Sequence, residues 1–184
     1  MPVKNKLSFY PFPEMETERL KLRKLKWEDQ QALYELHSDK ENRKYISSLP
    51  PESIQDTRKF IDKILSGIEK NDWIYWVISS ITDNQLVGTI CLWDFSEDKY
   101  MAELGYELLP RFQGKGFMAE SVKKVEQYAF EELHLRLLEG YTHRENEASA
   151  RLLTKLCYHI NEEKSKKHNE KTGETMCVYF KMNE

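Results

Sequence analysis

The chain switches between two hydrophobic rhythms, and the points of exchange mark out its elements. From Arg19 to Leu25, Leu20 and Leu22 alternate with Arg19, Lys21 and Arg23, the two-residue period of a half-buried strand. Trp27 to His37 turns helical, with Leu33 and Leu36 inward, and a connecting loop follows. Ser53 with Asp56 makes a capping-box pattern just after Pro50 and Pro51, and Ile54, Ile61, Ile64 and Ile68 then repeat at helical spacing to about Gly67. Trp73 to Ile81 and Leu86 to Trp93, rich in β-branched and aromatic residues, flank Thr82, Asp83 and Asn84 and predict a hairpin. Tyr100 to Leu109 sets Ala102, Leu104, Tyr106 and Leu108 against Glu103, Gly105 and Glu107, then stops at Pro110, which predicts a third antiparallel strand.

At Gly116 the rhythm changes again. Met118, Val122, Val125, Ala129 and Leu133 form one buried face of a central helix. Leu135 to Thr142 is a short strand, Asn146 caps a helix running to about Leu156, and Val178 to Met182 closes the chain as a strand. The charged stretch from Glu162 to Glu174 reads as a solvated hairpin tip. Residues 1–15 form an amino-terminal arm in which Leu7, Phe9, Tyr10 and Phe12 stand among prolines, either packing its aromatics or fraying. Residues 16–184 form one domain, and the order of its elements describes an α/β fold on a mixed sheet.

Composition narrows what such a fold would be for. At 184 residues a chain buries roughly 70% of its unfolded surface, enough for one well-cored domain. Charged residues make up 32%, and no apolar run approaches the roughly 20 residues that span a bilayer, so no membrane role is expected. The start leads into Pro11 and Pro13 rather than an apolar signal core, and the expected compartment is the cytoplasm. A net charge of -3 lacks the concentrated basic field that nucleic-acid phosphates require, so no nucleic acid is expected as partner. Cys91, Cys157 and Cys177 are odd in number and widely spaced, and read as small buried hydrophobes. The five histidines, His37, His134, His143, His159 and His168, show no ligand spacing, so no metal is expected.

The chemistry concentrates in Arg111-Phe112-Gln113-Gly114-Lys115-Gly116, between a strand and a helix. Glycines there remove side chains, so several backbone N–H groups can converge, and the helix start adds its own unpaired donors and roughly half a positive charge. An anion suits that place, a pyrophosphate above all, with Arg111 and Lys115 adding charge-assisted contacts at the rim. Gly116 stands where a P-loop needs Ser or Thr, and Ala119 breaks the dinucleotide fingerprint, so neither nucleotide motif fits.

Arg111-x-x-Gly114-x-Gly116 resembles the R/Q-x-x-G-x-G/A acyl-CoA signature of the GNAT acetyltransferases. Ala102-Glu103-Leu104-Gly105-Tyr106 through Pro110, and Gly114 through Glu120, resemble the RimJ/RimL-like branch, which acetylates ribosomal-protein N-termini and other amines. Asn146-x-x-Ser149 and Lys155-Leu156-Cys157-Tyr158 look like that branch's N-x-x-S and K-L-G-F segments, with Cys157 where glycine is usual. The resemblance covers nearly everything from Thr17 to Lys181. It implies a GNAT fold, α/β (α+β), with a mixed, mostly antiparallel twisted sheet of about seven strands flanked by four helices.

It also implies acetyl-CoA as co-substrate and transfer to a primary amine, protein N-terminal or small-molecule, in a ternary complex. The alternative is a non-catalytic acyl-CoA sensor or scaffold. Leu108, Leu109, Arg111, Phe112, Gln113, Gly114, Lys115, Gly116, Phe117, Met118, Asn146 and Ser149 are the expected cofactor-binding residues. A bulge near Leu108 or Leu109 is expected to free a backbone N–H for the thioester carbonyl. Glu103 is the expected base, with Glu107 on the same face as rival, because an α-amine of about 7.7 to 8.0 or a lysine of about 10.4 must lose a proton before attack. Leu153 stands where many members of the superfamily carry a tyrosine that protonates the departing sulfur, so Ser149 is expected to take that role. Trp27, Tyr45, Phe95 and Tyr106 are either core or acceptor-cleft aromatics, and the loop from Lys40 to Glu52 is the expected acceptor wall. A balanced charge and the aromatic amino-terminal arm fit a monomer or a homodimer.

Overall fold

The computed structural model describes residues 6–46 and 48–183. Among them an eight-stranded sheet runs in the order β1-β2-β3-β4-β5-β6-β8-β7. The strands are β1 (Met15–Glu16), β2 (Leu20–Lys24), β3 (Ile74–Ser80), β4 (Leu86–Trp93), β5 (Met101–Leu108), β6 (Leu137–His143), β7 (His159–Ile160) and β8 (Met176–Met182). Six α-helices accompany them: α1 (Gln30–Ser38), α2 (Lys40–Arg43), α3 (Ile54–Glu69), α4 (Phe117–Gln127), α5 (Glu147–Lys155) and α6 (Glu162–Thr172). Every pairing is antiparallel except β5 with β6.

That one parallel pairing shapes the molecule. Met101, Ala102 and Glu103 pair with Leu137, Leu138 and Glu139, and there the ladder ends. β5 goes on pairing with β4 as far as Leu108, while β6 goes on pairing with β8 as far as His143. The two halves of the sheet therefore part into a wedge whose closed end is the Glu103 and Glu139 pair. Strand parity sorts the residues along β5: Glu103 and Glu107 face one layer, Tyr106 and Leu108 the other. Contacts of Phe60 on α3 with Tyr75 and His37, and of Lys164 on α6 with Glu139, put α1, α3 and α6 over the glutamate face. Tyr128, directly after α4, meets Trp76 edge-on, and Leu153 of α5 lies over Gly140, so α4 and α5 cover the other face.

The periodic elements form as the pattern predicts. Met118, Val122, Val125, Ala129 and Leu133 are all buried beneath the sheet, each contributing about 1 to 3 kcal/mol of apolar burial. Ile61, Ile64 and Ile68 do the same for α3, under the Ser53 and Asp56 capping box, whereas Ile54 at the first turn stays half-buried.

Four readings change. The sheet gains two-residue strands at each edge, β1 and β7, too short for alternation to show. The connecting loop holds the four-residue α2, capped by Asp39 on the amide of Asn42. Glu162 to Glu174 is no solvated tip but the helix α6: Asn161 caps it, Gly173 ends it in the left-handed region, and Ser165 is buried, donating to the Asn161 carbonyl while accepting from the Val178 amide. The cysteines are not buried hydrophobes, since Cys157 is exposed and Cys91 and Cys177 are half-buried.

The described part of the arm packs. Phe9 is buried against Phe95, Phe12 meets the Trp76 ring edge-on, and the Trp76 indole donates to the Pro13 carbonyl, while Tyr10 points outward. The arm's first five residues lie outside the described ones. Among the described residues no helix is long and apolar enough to cross a membrane.

Candidate active site

β5 ends at Leu108, and a single 3-10 turn over Pro110–Phe112 carries the chain to two left-handed glycines, Gly114 at φ 73° and Gly116 at φ 80°. Both positions need glycine for the backbone alone, and a Cβ built on Gly114 would meet nothing within 4 Å, so the ground before it is open. Gly116 is the N-cap of α4 and brings no capping side chain. The first helical bond is from the Glu120 amide to the Gly116 carbonyl, which leaves the amides of Phe117, Met118 and Ala119 without a carbonyl inside the helix. Met118 contributes only that amide, because its side chain is buried in the core.

The loop is braced by a residue that its own sequence does not announce. Arg19, immediately before β2, donates to the Lys115 carbonyl at 3.0 Å, pairs with Glu120 on α4 at 2.6 Å, and lies over the Phe117 ring. Thr17 also donates to Glu120. A basic residue in an alternating pattern has the signature of an ordinary solvent-facing strand position, which hides the bracing role of Arg19 in the sequence. Arg111 and Lys115 both reach over the Phe112 ring, and Arg111 is ion-paired with Glu35 of α1. Gln113 folds back, donating to the Leu108 carbonyl and to the Asn42 side chain, each at 3.0 Å. The loop is thus tied to α1 and α2 on the glutamate face.

The expected bulge is absent: β4 and β5 keep continuous register from Gly88 and Leu108 to Trp93 and Glu103, and the one irregularity lies between Ile78 and Ser79. The Leu109 amide is not free either, since it donates to the Val87 carbonyl at 3.0 Å. In an antiparallel ladder bonding directions alternate, so the Leu108 amide points to the other edge of β5, the one β6 has left. Divergence of the strands, not a bulge, leaves that edge of β5 without a strand partner beyond Glu103.

Across the wedge, on the α4 and α5 face, two hydroxyls meet. Tyr106 Oη of β5 lies 2.8 Å from Ser149 Oγ in the first turn of α5. Asn146 caps that helix, its side chain accepting from the Ser149 amide at 3.1 Å. Burial pushes the Tyr106 phenol up to about 12, although the Ser149 contact opposes the rise. Leu153, one turn on, is buried and apolar.

On the opposite face lie the two carboxyls. Glu107 is pushed up to about 7 by burial, partly countered by Arg43, and its Oε2 has no hydrogen-bond partner. His37 Nε2 is 3.9 Å from that oxygen, beyond hydrogen-bond reach, and burial together with Arg43 pushes His37 down to about 4, so the ring is neutral and forms no ion pair. Glu103, at the closed end, is pushed up to about 8 by burial first and by Asp94 and Glu139 next, with Lys164 and Trp93 opposing. The two carboxyls are four positions apart, roughly 13 Å along the strand. Near the open end, Tyr45 stacks on His143 at 5.6 Å, and with Lys44, Ile46 and Glu174 they line a cleft of about 290 Å³. Of the other aromatics, Trp27 is exposed and Phe95 packs on the arm, away from this cleft.

A wedge between parallel strands, with bared amides at its mouth and hydroxyl and carboxyl groups on its walls, agrees with what comparison finds: residues 19–158 match the acetyltransferase (GNAT) domain family. The chain belongs to the GNAT acetyltransferases. It is 32% identical over 145 residues to an uncharacterized N-acetyltransferase of Bacillus subtilis (strain 168), YoaA, covering 79% of this chain and 82% of that protein. Among solved structures, a GNAT-family acetyltransferase from Bacillus anthracis superposes with a TM-score of 0.75 at 25% identity, covering 91% of this chain and 96% of that one. RimL, a ribosomal-protein acetyltransferase solved in complex with coenzyme A, shares the fold with a TM-score of 0.75 at 17% identity over 92% of this GNAT chain and 98% of its own. The family match and the curated relative make the chain an acyl-CoA-dependent N-acetyltransferase.

Proposed function

We propose that this chain binds acetyl-CoA in the wedge and passes its acetyl group directly to a primary amine, a protein N-terminus or a small molecule, within a ternary complex. The observation that carries the reading is the parting of β5 from β6 beyond Glu103 and Glu139, with Gly114 and Gly116 at its mouth. Coenzyme A fits the residues present: the space before Gly114 is open, the α4 amides and Arg111 and Lys115 suit a diphosphate, and the Leu108 edge of β5 offers hydrogen bonds to an extended arm. Bound there as its acetyl thioester, the coenzyme would supply an activated acyl group.

The remaining chemistry falls to side chains. A Leu108 amide aimed into the wedge suits the carbonyl oxygen on which charge develops. Ser149 presents its hydroxyl to the sulfur, and Asn146 fixes the helix that carries it. A carboxyl raised towards neutrality takes the amine's proton. Glu103 retains that candidacy at the closed end of the wedge, and what supports Glu107 is its place next to Tyr106 along β5, level with Ser149, where the strands have opened.

Free thiol release from acetyl-CoA, offered with a panel of peptides and polyamines and followed by mass spectrometry of the products, tests the proposal. Acetylated product with stoichiometric thiol is the expected result. Absence of thiol release above background hydrolysis with every amine, together with absence of calorimetric heat from coenzyme A, would overturn it.

A further inference from the structure

Serines in helices ordinarily spend their hydrogen on the carbonyl one turn back, and two here do so: Ser121 donates to Phe117 and Ser165 to Asn161. Ser149 differs. Its hydroxyl meets a phenol that comes from a strand on the far side of the wedge, 43 positions away in sequence. We propose that Tyr106 is the positioning residue of Ser149, turning that serine's hydrogen towards the sulfur of a bound acyl-CoA. This deepens the acetyl-transfer reading and rests on it.

The direction of the bond follows from chemistry. A phenol is the stronger donor and an aliphatic hydroxyl the better acceptor, so Tyr106 donates and Ser149 must aim its own hydrogen elsewhere. Tyr106 is half-buried and holds its proton up to about 12, so it remains a donor throughout any working pH. A group that holds its proton so firmly is a poor proton source for a thiolate of about 8.5, and the pair acts by hydrogen bonding rather than by ionising. In the step served, the amine nitrogen bonds to the acyl carbon and the C–S bond breaks with its electron pair on sulfur. The nitrogen's proton goes to a carboxylate, and the thiolate departs hydrogen-bonded to Ser149, taking a proton from water on release. Leu153, apolar against Gly140, leaves α5 without a phenol of its own one turn on, and β5 supplies it instead.

Tyr106→Phe keeps the ring and removes only the hydroxyl, so it separates positioning from packing. With acetyl-CoA and the best amine of a panel of spermidine and short peptides, kcat is expected to fall by roughly tenfold or more while KM for acetyl-CoA stays within about twofold. The Tyr106→Phe/Ser149→Ala double variant should be no slower than Ser149→Ala, because the phenol acts through the serine. Calorimetry adds a readout independent of turnover: at pH 9 the wild-type chain should prefer coenzyme A over desulfo-coenzyme A, and Tyr106→Phe should erase the preference. Multiplying losses in the double variant, or wild-type turnover and sulfur preference in Tyr106→Phe, would overturn the proposal. If wild-type chain shows neither thiol release nor coenzyme A binding, the acetyl-transfer reading itself fails, which is a separate outcome.

Discussion

Gly114 and Gly173 allow backbone strain to be separated from cofactor contact. Each sits in the left-handed region, at φ 73° and φ 75°, and a Cβ on either would meet nothing within 4 Å. An alanine at either therefore pays the same conformational penalty, roughly 1 kcal/mol, and makes no clash inside the chain. For a chain of this length that should lower Tm by about 2 to 4 °C in both variants. They differ in what lies outside: Gly173 closes α6, whereas Gly114 faces the proposed diphosphate. A methyl group there holds the anion off amides that bond it directly, and each charge-assisted bond lost is worth about 1.5 to 3 kcal/mol, roughly 10- to 100-fold in affinity. Calorimetric titration with coenzyme A, alongside thermal melts, should find matched losses of Tm and a weakened Kd for Gly114→Ala alone. A wild-type Kd for Gly114→Ala, or an equal weakening for Gly173→Ala, would refute the placement of the diphosphate.

Other consequences follow from charges and backbone. Glu107 and Glu103 are raised in the fold to about 7 and about 8, so between pH 4.5 and 8 the folded chain holds protons that the unfolded chain has released, and stability falls as pH rises through that window. Glu107→Gln should flatten the fall, gaining on the order of 1 to 2 kcal/mol at pH 8 by chemical denaturation; if Glu107 is the base it also abolishes the rise of kcat/KM with pH, which Glu103→Gln then leaves in place. Glu35 competes for Arg111 across a half-exposed ion pair, so Glu35→Ala should tighten coenzyme A binding by roughly two- to fivefold in the same titration, and unchanged binding would show that Arg111 is not drawn to the ligand. Cys157, exposed at φ 64°, occupies a conformation that glycine adopts without strain, so Cys157→Gly should stabilise the chain by about 1 kcal/mol, with Tm as the measure.

What could be read from the sequence follows from how each element is held. The central helix was legible because Met118, Val122, Val125, Ala129 and Leu133 are all buried on one face, so hydrophobic period and structure are the same fact. α6 was not, because Ser165 is its one buried residue: the Asn161 cap, the Gly173 stop and the bonds of Asn169 to both backbone groups of Met176 hold it, and none of these leaves a hydrophobic stripe. The same distinction divides the site. The glycine loop was legible since its backbone angles restrict residue type locally, and the pairing of Glu103 with Glu107 on one face followed from strand parity alone. Their separate environments did not, because these depend on where β6 leaves β5, a contact between segments more than thirty residues apart. Tyr106 and Arg19 were lost for that reason too: one looks like a core aromatic and the other like a solvent-facing strand cation until Ser149, Lys115 and Glu120 arrive from distant positions. Local restrictions on the backbone thus located the proposed cofactor loop, while the groups proposed to move protons acquire their meaning only from tertiary contact, which is where substitution at Tyr106 and Glu107 will be most informative.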